Sequence, residues 1–175
     1  MSSEASAAAS HLGLPGRTAV EPAKTLVLGL GSPLRADDGV GVVLIEALRE
    51  GGGFGEGVEL VDGGSAGLEI VLLLEGRSRV VVVDAADMGL EPGAWRRFTP
   101  DEIAPADGAA LGGTLHDAGL LEALALAEAL GVLPAELVIF GVQPRSLGWE
   151  QGLTPPVRQA LPALCEAVRR ELGGG

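Results

Sequence analysis

The sequence predicts a three-layer α/β sandwich: a mainly parallel, twisted sheet of about five strands with helices on both faces. Three observations point there. Short apolar runs bounded by turn residues recur along the chain, as strands buried on both faces require. Helix-period apolar stripes fall between those runs. The length, 175 residues, fits one domain with a sizeable core.

Residues 1–23, opening MSSEASAAAS, are expected to form a flexible tail, with one α/β domain over 24–175. The tail has neither a basic start nor a continuous apolar run, so it does not read as a signal peptide. No run of about 18 apolar residues suggests a membrane span. The first strand is Leu26–Leu30, followed by a helix marked by Val40, Val43, Leu44, Ala47 and Leu48. A weaker strand, Val58–Val61, precedes a helix marked by Leu68, Val71, Leu72 and Leu74. The run Val80–Val83 is the third strand. Trp95–Phe98 is predicted as an edge strand, because Arg96 and Arg97 would meet solvent there. Pro105–Thr114, rich in Ala and Gly, reads as a mobile loop. A third helix carries Leu120, Leu121, Leu124, Ala127 and Leu130, and the last strand is Leu137–Phe140. The final helix starts near Thr154 as N-cap with Pro155 in its first turn, and Pro162 should kink or restart it.

Composition narrows the function. Aromatics are 3% of the chain, so the core must rest on Leu, Val, Ile and Ala. A net charge of −12 argues against nucleic acid and against a basic membrane-binding face, both of which need clustered Lys and Arg. The single cysteine, Cys165, excludes an internal disulfide and fits a reducing compartment, the cytoplasm. It falls on the stripe Val157, Leu161, Leu164, Val168 and Leu172, where a buried core thiol is expected. No oligomer seam is evident, so a monomer is expected.

Ligands of open α/β sheets bind beyond the carboxyl ends of the strands. There the sequence places Asp37 and Asp38 after the first strand, Asp62 after the second, and Asp84 after the third. His116 follows the Gly-rich loop and starts a helix. Either Asp37 or Asp38 could instead cap the first helix, and Asp62 before Gly63-Gly64 suits a turn. Asp84 is harder to explain as structure, because a carboxylate joined to four valines is expensive unless paired or bound to a cation. His11 lies in the tail and is set aside. Carboxylates with one imidazole make a mixed oxygen and nitrogen donor set, suited to zinc or nickel with positions left open.

Two other motifs compete. Gly29-Leu30-Gly31 resembles the start of a dinucleotide fingerprint, but Leu34 stands at the third glycine and Asp37 and Asp38 would repel a pyrophosphate. Gly63-Gly64-Ser65-Ala66-Gly67 matches the nucleophile elbow G-x-S-x-G, with Asp84 and His116 in the order of a serine hydrolase. The acid would come unusually early, however, and no oxyanion loop of the H-G-G-G type precedes it.

Several ordered motifs resemble the nickel–iron hydrogenase maturation proteases. They are Leu28-Gly29-Leu30-Gly31-Ser32-Pro33-Leu34 with Asp37-Asp38-Gly39-Val40-Gly41, Asp62-Gly63-Gly64-Ser65-Ala66-Gly67, and Val83-Asp84-Ala85-Ala86-Asp87-Met88-Gly89. Thr114-Leu115-His116, Gly141-Val142-Gln143-Pro144 and Gly152-Leu153-Thr154-Pro155 complete the set, so the resemblance spans roughly residues 24–172. It implies an endopeptidase that removes a C-terminal extension from a hydrogenase large-subunit precursor after nickel insertion. It assigns Asp38, Asp84 and His116 together to recognition of that nickel, with no serine or cysteine nucleophile and so an aspartic-type reaction. Some members carry Glu at the first position, so Asp38, one methylene shorter, would bring the metal closer to its backbone. Ser32 stands where many members have Asn and is assigned no role beyond the turn. Asp87-Met88-Gly89 is similar to the branch serving formate-linked and related hydrogenases. The nickel, carried by the substrate, could also polarise the scissile carbonyl or a water. The alternatives are a nickel-sensing maturation chaperone that docks without cutting, and a serine hydrolase using Ser65.

Overall fold

The computed structural model describes residues 24–103 and 119–173. The expected N-terminal tail, the expected loop Pro105–Thr114, and both His11 and His116 lie outside the described residues.

Five strands form one sheet in the order β2-β1-β3-β5-β4. They are β1 (Thr25–Leu30), β2 (Val58–Gly64), β3 (Arg79–Ala85), β4 (Trp95–Phe98) and β5 (Glu136–Val142). Three of the four strand pairings are parallel: Leu26 opposes Glu59 and Val80, and Val82 opposes Ile139. β4 is the antiparallel edge strand, Phe98 opposing Ile139. Val80 to Val83 are all fully buried, as a central parallel strand requires. Burying each valine is worth about 1.5–3 kcal/mol before entropy is counted.

Helices cover both faces, completing the expected three layers. On one side α1 (Val40–Gly51) and α5 (Pro155–Gly173) pack Leu44, Leu48, Leu164 and Val168 against Val27, Val81 and Val83. On the other side α2 (Ile70–Leu74) and α4 (Gly119–Ala129) pack Ile70, Leu74, Leu120 and Leu124 against Leu28, Val80 and Val82. A short helix, α3 (Pro100–Ile103), follows β4 and buries Ile103 in this second layer. Among the described residues no helix is long and apolar enough to cross a membrane.

Several expectations are corrected. The second helix is a single turn, and it buries Ile70, Val71 and Leu74 while Leu68 and Leu72 are exposed. A five-residue segment is too short for periodicity to fix its inner face. Asp62 and its glycines end strand β2 as expected, with the exposed Asp62 carboxylate accepting the Gly64 N–H at 2.9 Å in the manner of a turn residue. α5 runs through Pro162 without restarting. Pro162 and Arg158, the residue whose carbonyl loses its helical donor, are both exposed, so water can satisfy that carbonyl. Cys165 is half-buried rather than buried, and burial raises its thiol pKa.

The topology creates the site. The chain leaves β1 toward β2 but leaves β3 toward β5, so the connections diverge between the carboxyl ends of β1 and β3. Such a switch point opens a crevice in an α/β sheet. Close helix packing shapes it further. A Cβ at Gly41 would lie 2.3 Å from the Val83 carbonyl oxygen and 2.5 Å from Leu30 backbone atoms. Glycine there lets the start of α1 rest directly on both strands. The glycines of this region therefore serve backbone contact.

Candidate active site

After β1 the chain turns at Gly31 and enters a 3-10 turn, Ala36–Gly39, that leads into α1. Gly31 has φ +105°, and a Cβ on it would lie 1.8 Å from the Asp38 carbonyl oxygen, so only glycine fits. The Asp38 carboxylate folds back on this turn, its Oδ2 accepting the Ser32 N–H at 2.8 Å. Ser32 thus contributes its backbone, as a turn residue would.

Asp37 and Asp38 are adjacent and both buried, yet they do different work. Asp37 turns away from the cleft into the segment before α5. Its Oδ2 accepts the N–H groups of Arg145 (2.9 Å) and Ser146 (3.2 Å) and the Thr154 hydroxyl (2.8 Å), and its Oδ1 accepts the Thr154 N–H (2.7 Å). This carboxylate ties two distant loops and is occupied by protein donors. Asp38 instead lines a cleft of about 150 Å³ at the carboxyl ends of β1 and β2. Leu30, Gly31 and Arg35 share its wall, with Gly64 to Gly67 from the turn after β2 and with Gly119 and Leu120 opening α4. Cofactor and drug-sized ligands usually occupy roughly 300–1,000 Å³. A cleft this small suits a side chain or a short stretch of peptide.

Asp84 sits at the carboxyl end of β3, the strand beside β1, and is 0% exposed. Its Oδ1 accepts the N–H of Ala85 at 2.8 Å. Strand alternation puts Asp84 on the face of Val80 and Val82, the side covered by α2 and α4 on which the cleft opens. It lies at the switch point but does not line the cleft. Among the described residues no three His, Cys, Asp or Glu side chains converge as a metal site. The third expected ligand, His116, is outside those residues, and Gly119, three positions further along the chain, lines the cleft.

Ser65 also lines the cleft, exposed on the turn after β2. Sequence reasoning missed Gln143. Its Oε1 accepts the N–H groups of Met88 (2.7 Å) and Leu90 (3.1 Å), and its Nε2 donates to Asp87 Oδ1 (3.2 Å). Gln143 thus fixes the loop that leaves β3 directly after Asp84. The signal for it was its place just past a buried strand, at the same sheet edge as the aspartates.

Comparison with known proteins places this geometry. The hydrogenase maturation protease family profile matches residues 42–171. The hydrogenase expression/formation protein HupD of Rhizobium leguminosarum bv. viciae is 39% identical over 150 residues, covering 85% of this chain and 74% of that protein. The hydrogenase 2 maturation protease of Escherichia coli K12 is 31% identical over 146 residues, covering 83% and 88% respectively. The solved structure of the hydrogenase maturating endopeptidase HybD from E. coli superposes with a TM-score of 0.77 at 30% identity, covering 86% of this chain and 93% of that one. The chain belongs to the hydrogenase maturation protease family of peptide hydrolases.

Proposed function

We propose that this protein is an endopeptidase that removes the C-terminal extension of a nickel–iron hydrogenase large-subunit precursor after nickel insertion, and that Asp38, Asp84 and His116 together recognise the nickel. The observation that carries the reading is the division of labour between neighbours. Asp37 is held by four protein donors, whereas Asp38 faces a peptide-sized cleft at the switch point. Asp84 ends the adjoining strand, and His116 precedes the helix whose first residues line that cleft. Two carboxylates and an imidazole are donors that a borderline divalent ion accepts.

The nickel belongs to the substrate. A precursor lacking it would leave the carboxylates without their cation, and discrimination follows from differential affinity. A thousandfold preference needs about 4 kcal/mol, well below the roughly 10–16 kcal/mol that a full structural metal site can supply. When bound, the nickel would also polarise the scissile carbonyl or a water, leaving an aspartic-type reaction with no covalent intermediate. The protein acts as a monomer in the cytoplasm on this reading, consistent with its single cysteine.

The test is processing of nickel-loaded precursor by Asp38→Asn, Asp84→Asn and His116→Ala, each checked for folding by circular dichroism. Loss of cleavage in all three supports the assignment, and normal cleavage by all three refutes it. Binding without any cleavage by the wild-type protein would favour the chaperone reading. Because Ser65 shares the cleft with Asp38, a serine hydrolase is the remaining reading; labelling of Ser65 by a fluorophosphonate would support it.

A further inference from the structure

Arg35 lines the same cleft as Asp38, three residues earlier on the same turn. Its guanidinium carbon lies 5.7 Å from the centroid of the Trp149 ring, and its Nε is buried with no hydrogen-bond acceptor among the described residues. Six of the nine other described arginines have oxygen partners. Arg77, Arg79 and Arg97 pair with glutamates, and Arg49, Arg158 and Arg169 donate to backbone carbonyls. In a chain with 24 acidic against 12 basic residues, a guanidinium at the cleft wall whose Nε meets no acceptor among the described residues points to a ligand.

The backbone shows that this placement is enforced. Ala36, directly after Arg35, has φ +46°, and it is the non-glycine residue with positive φ among those described. Such a conformation costs about 1–3 kcal/mol and persists only where its surroundings over-determine it. Here the Ala36 N–H donates to the Glu150 carbonyl at 2.7 Å and Asp37 is locked by its four donors. The same contacts bring Trp149, itself 82% exposed, beneath the guanidinium. Stacking occupies a guanidinium's face and leaves its edge N–H groups free in the plane. The planar acceptor that matches such an edge is a carboxylate.

We propose that Arg35 is a specificity-determining residue, binding a carboxylate of the precursor's C-terminal extension while the metal-bearing part of the same substrate meets Asp38. The inference rests on the protease reading of this cleft. It gives the cleft two poles: Asp38 takes a cation and Arg35 an anion. The extension is then held at two points on either side of the bond to be cut. The carboxylate could be an acidic side chain or the chain terminus of the extension.

The test uses the full protein as wild type, Arg35→Gln and Arg35→Lys, each checked for folding by circular dichroism. Nickel-loaded precursor is supplied unaltered, with the acidic side chains of its extension changed to amides, or with its terminus as a carboxamide. Both KM and kcat for processing and the Kd for precursor are measured. Arg35→Gln should raise KM and Kd by roughly 10- to 100-fold, the range for loss of a charged hydrogen bond, with kcat changed less than about threefold. Arg35→Lys, which keeps the charge without the fork, should fall between. Removing the recognised carboxylate should cost the wild type the same factor and cost Arg35→Gln nothing. Which precursor shows this identifies the side chain or the terminus. Unchanged KM and Kd in Arg35→Gln, or equal losses in both enzymes, overturns the inference. If the wild type binds but does not cut, the protease reading fails while Kd still decides Arg35. If it neither binds nor cuts, both fall.

Discussion

Asp37 holds Thr154 twice: its Oδ1 accepts the Thr154 N–H at 2.7 Å and its Oδ2 accepts the Thr154 hydroxyl at 2.8 Å. The two residues are 117 positions apart in sequence. This contact anchors the turn after β1 to the start of α5 and leaves Asp38 as the aspartate at the cleft. Asp37→Ala should therefore strip acceptors from four buried or half-buried donors and destabilise the fold by about 3 kcal/mol or more. At about 2–4 °C per kcal/mol for a chain of this size, Tm should fall by roughly 6–12 °C. Asp38→Asn, which keeps an oxygen for the Ser32 N–H, should cost less stability than Asp37→Ala. Thermal unfolding of the two variants checks the contrast, and equal losses would contradict the division between them.

Gln143 should govern the order of the loop after Asp84. Gln143→Ala removes the acceptor of the Met88 and Leu90 N–H groups. Hydrogen exchange of those two amides should accelerate by about tenfold or more, with a loss of roughly 1–3 kcal/mol in stability. Exchange in the core of β3 should follow only the global loss. Unchanged exchange at Met88 and Leu90 would show that the loop is held by other means.

Glu171 predicts a pH dependence. Its hydrogen bond with Arg97 holds its pKa below the usual carboxylate range, with the charges of Arg97 and Arg79 adding to the effect. A lowered native pKa contributes stability that is full above the unfolded value, about 4.3, and is lost as pH falls through the native value. Arg97 is 45% exposed, so screening limits the contribution to about 0.5–1 kcal/mol. Glu171→Gln should therefore be less stable than wild type at pH 7, and the gap should close in acid. Urea unfolding at pH 7 and at about pH 3 measures it; a gap that persists or widens in acid would assign the effect to packing instead.

Much of this was legible in the sequence, and the gaps have physical causes. Val80–Val83 announces a strand buried on both faces because it is short, wholly β-branched and followed closely by polar and turn residues, a combination that favours strand over helix. Trp95–Phe98 was readable as an edge strand from its arginines, but its antiparallel direction is set by pairing with β5 and leaves no local mark. Asp37 and Asp38 could not be separated by spacing, since their difference lies in Thr154, Arg145 and Ser146, far along the chain. Gln143 escaped for the same reason: its partners sit more than fifty residues away. Pro162 does not restart the helix, because packing of the rest of α5 against the sheet outweighs the proline's local cost and the freed Arg158 carbonyl is open to water, neither of which leaves a mark near Pro162 in the sequence.

The central claim is that the cleft beside Asp38 reads a metal carried by another protein and that cutting follows. Intact mass spectrometry of a hydrogenase large-subunit precursor, incubated with this protein in nickel-loaded and nickel-free forms, tests it most directly. The account predicts loss of a single C-terminal peptide from the nickel-loaded precursor and no change in the nickel-free form. Equal cleavage of both forms, or of neither, would contradict it.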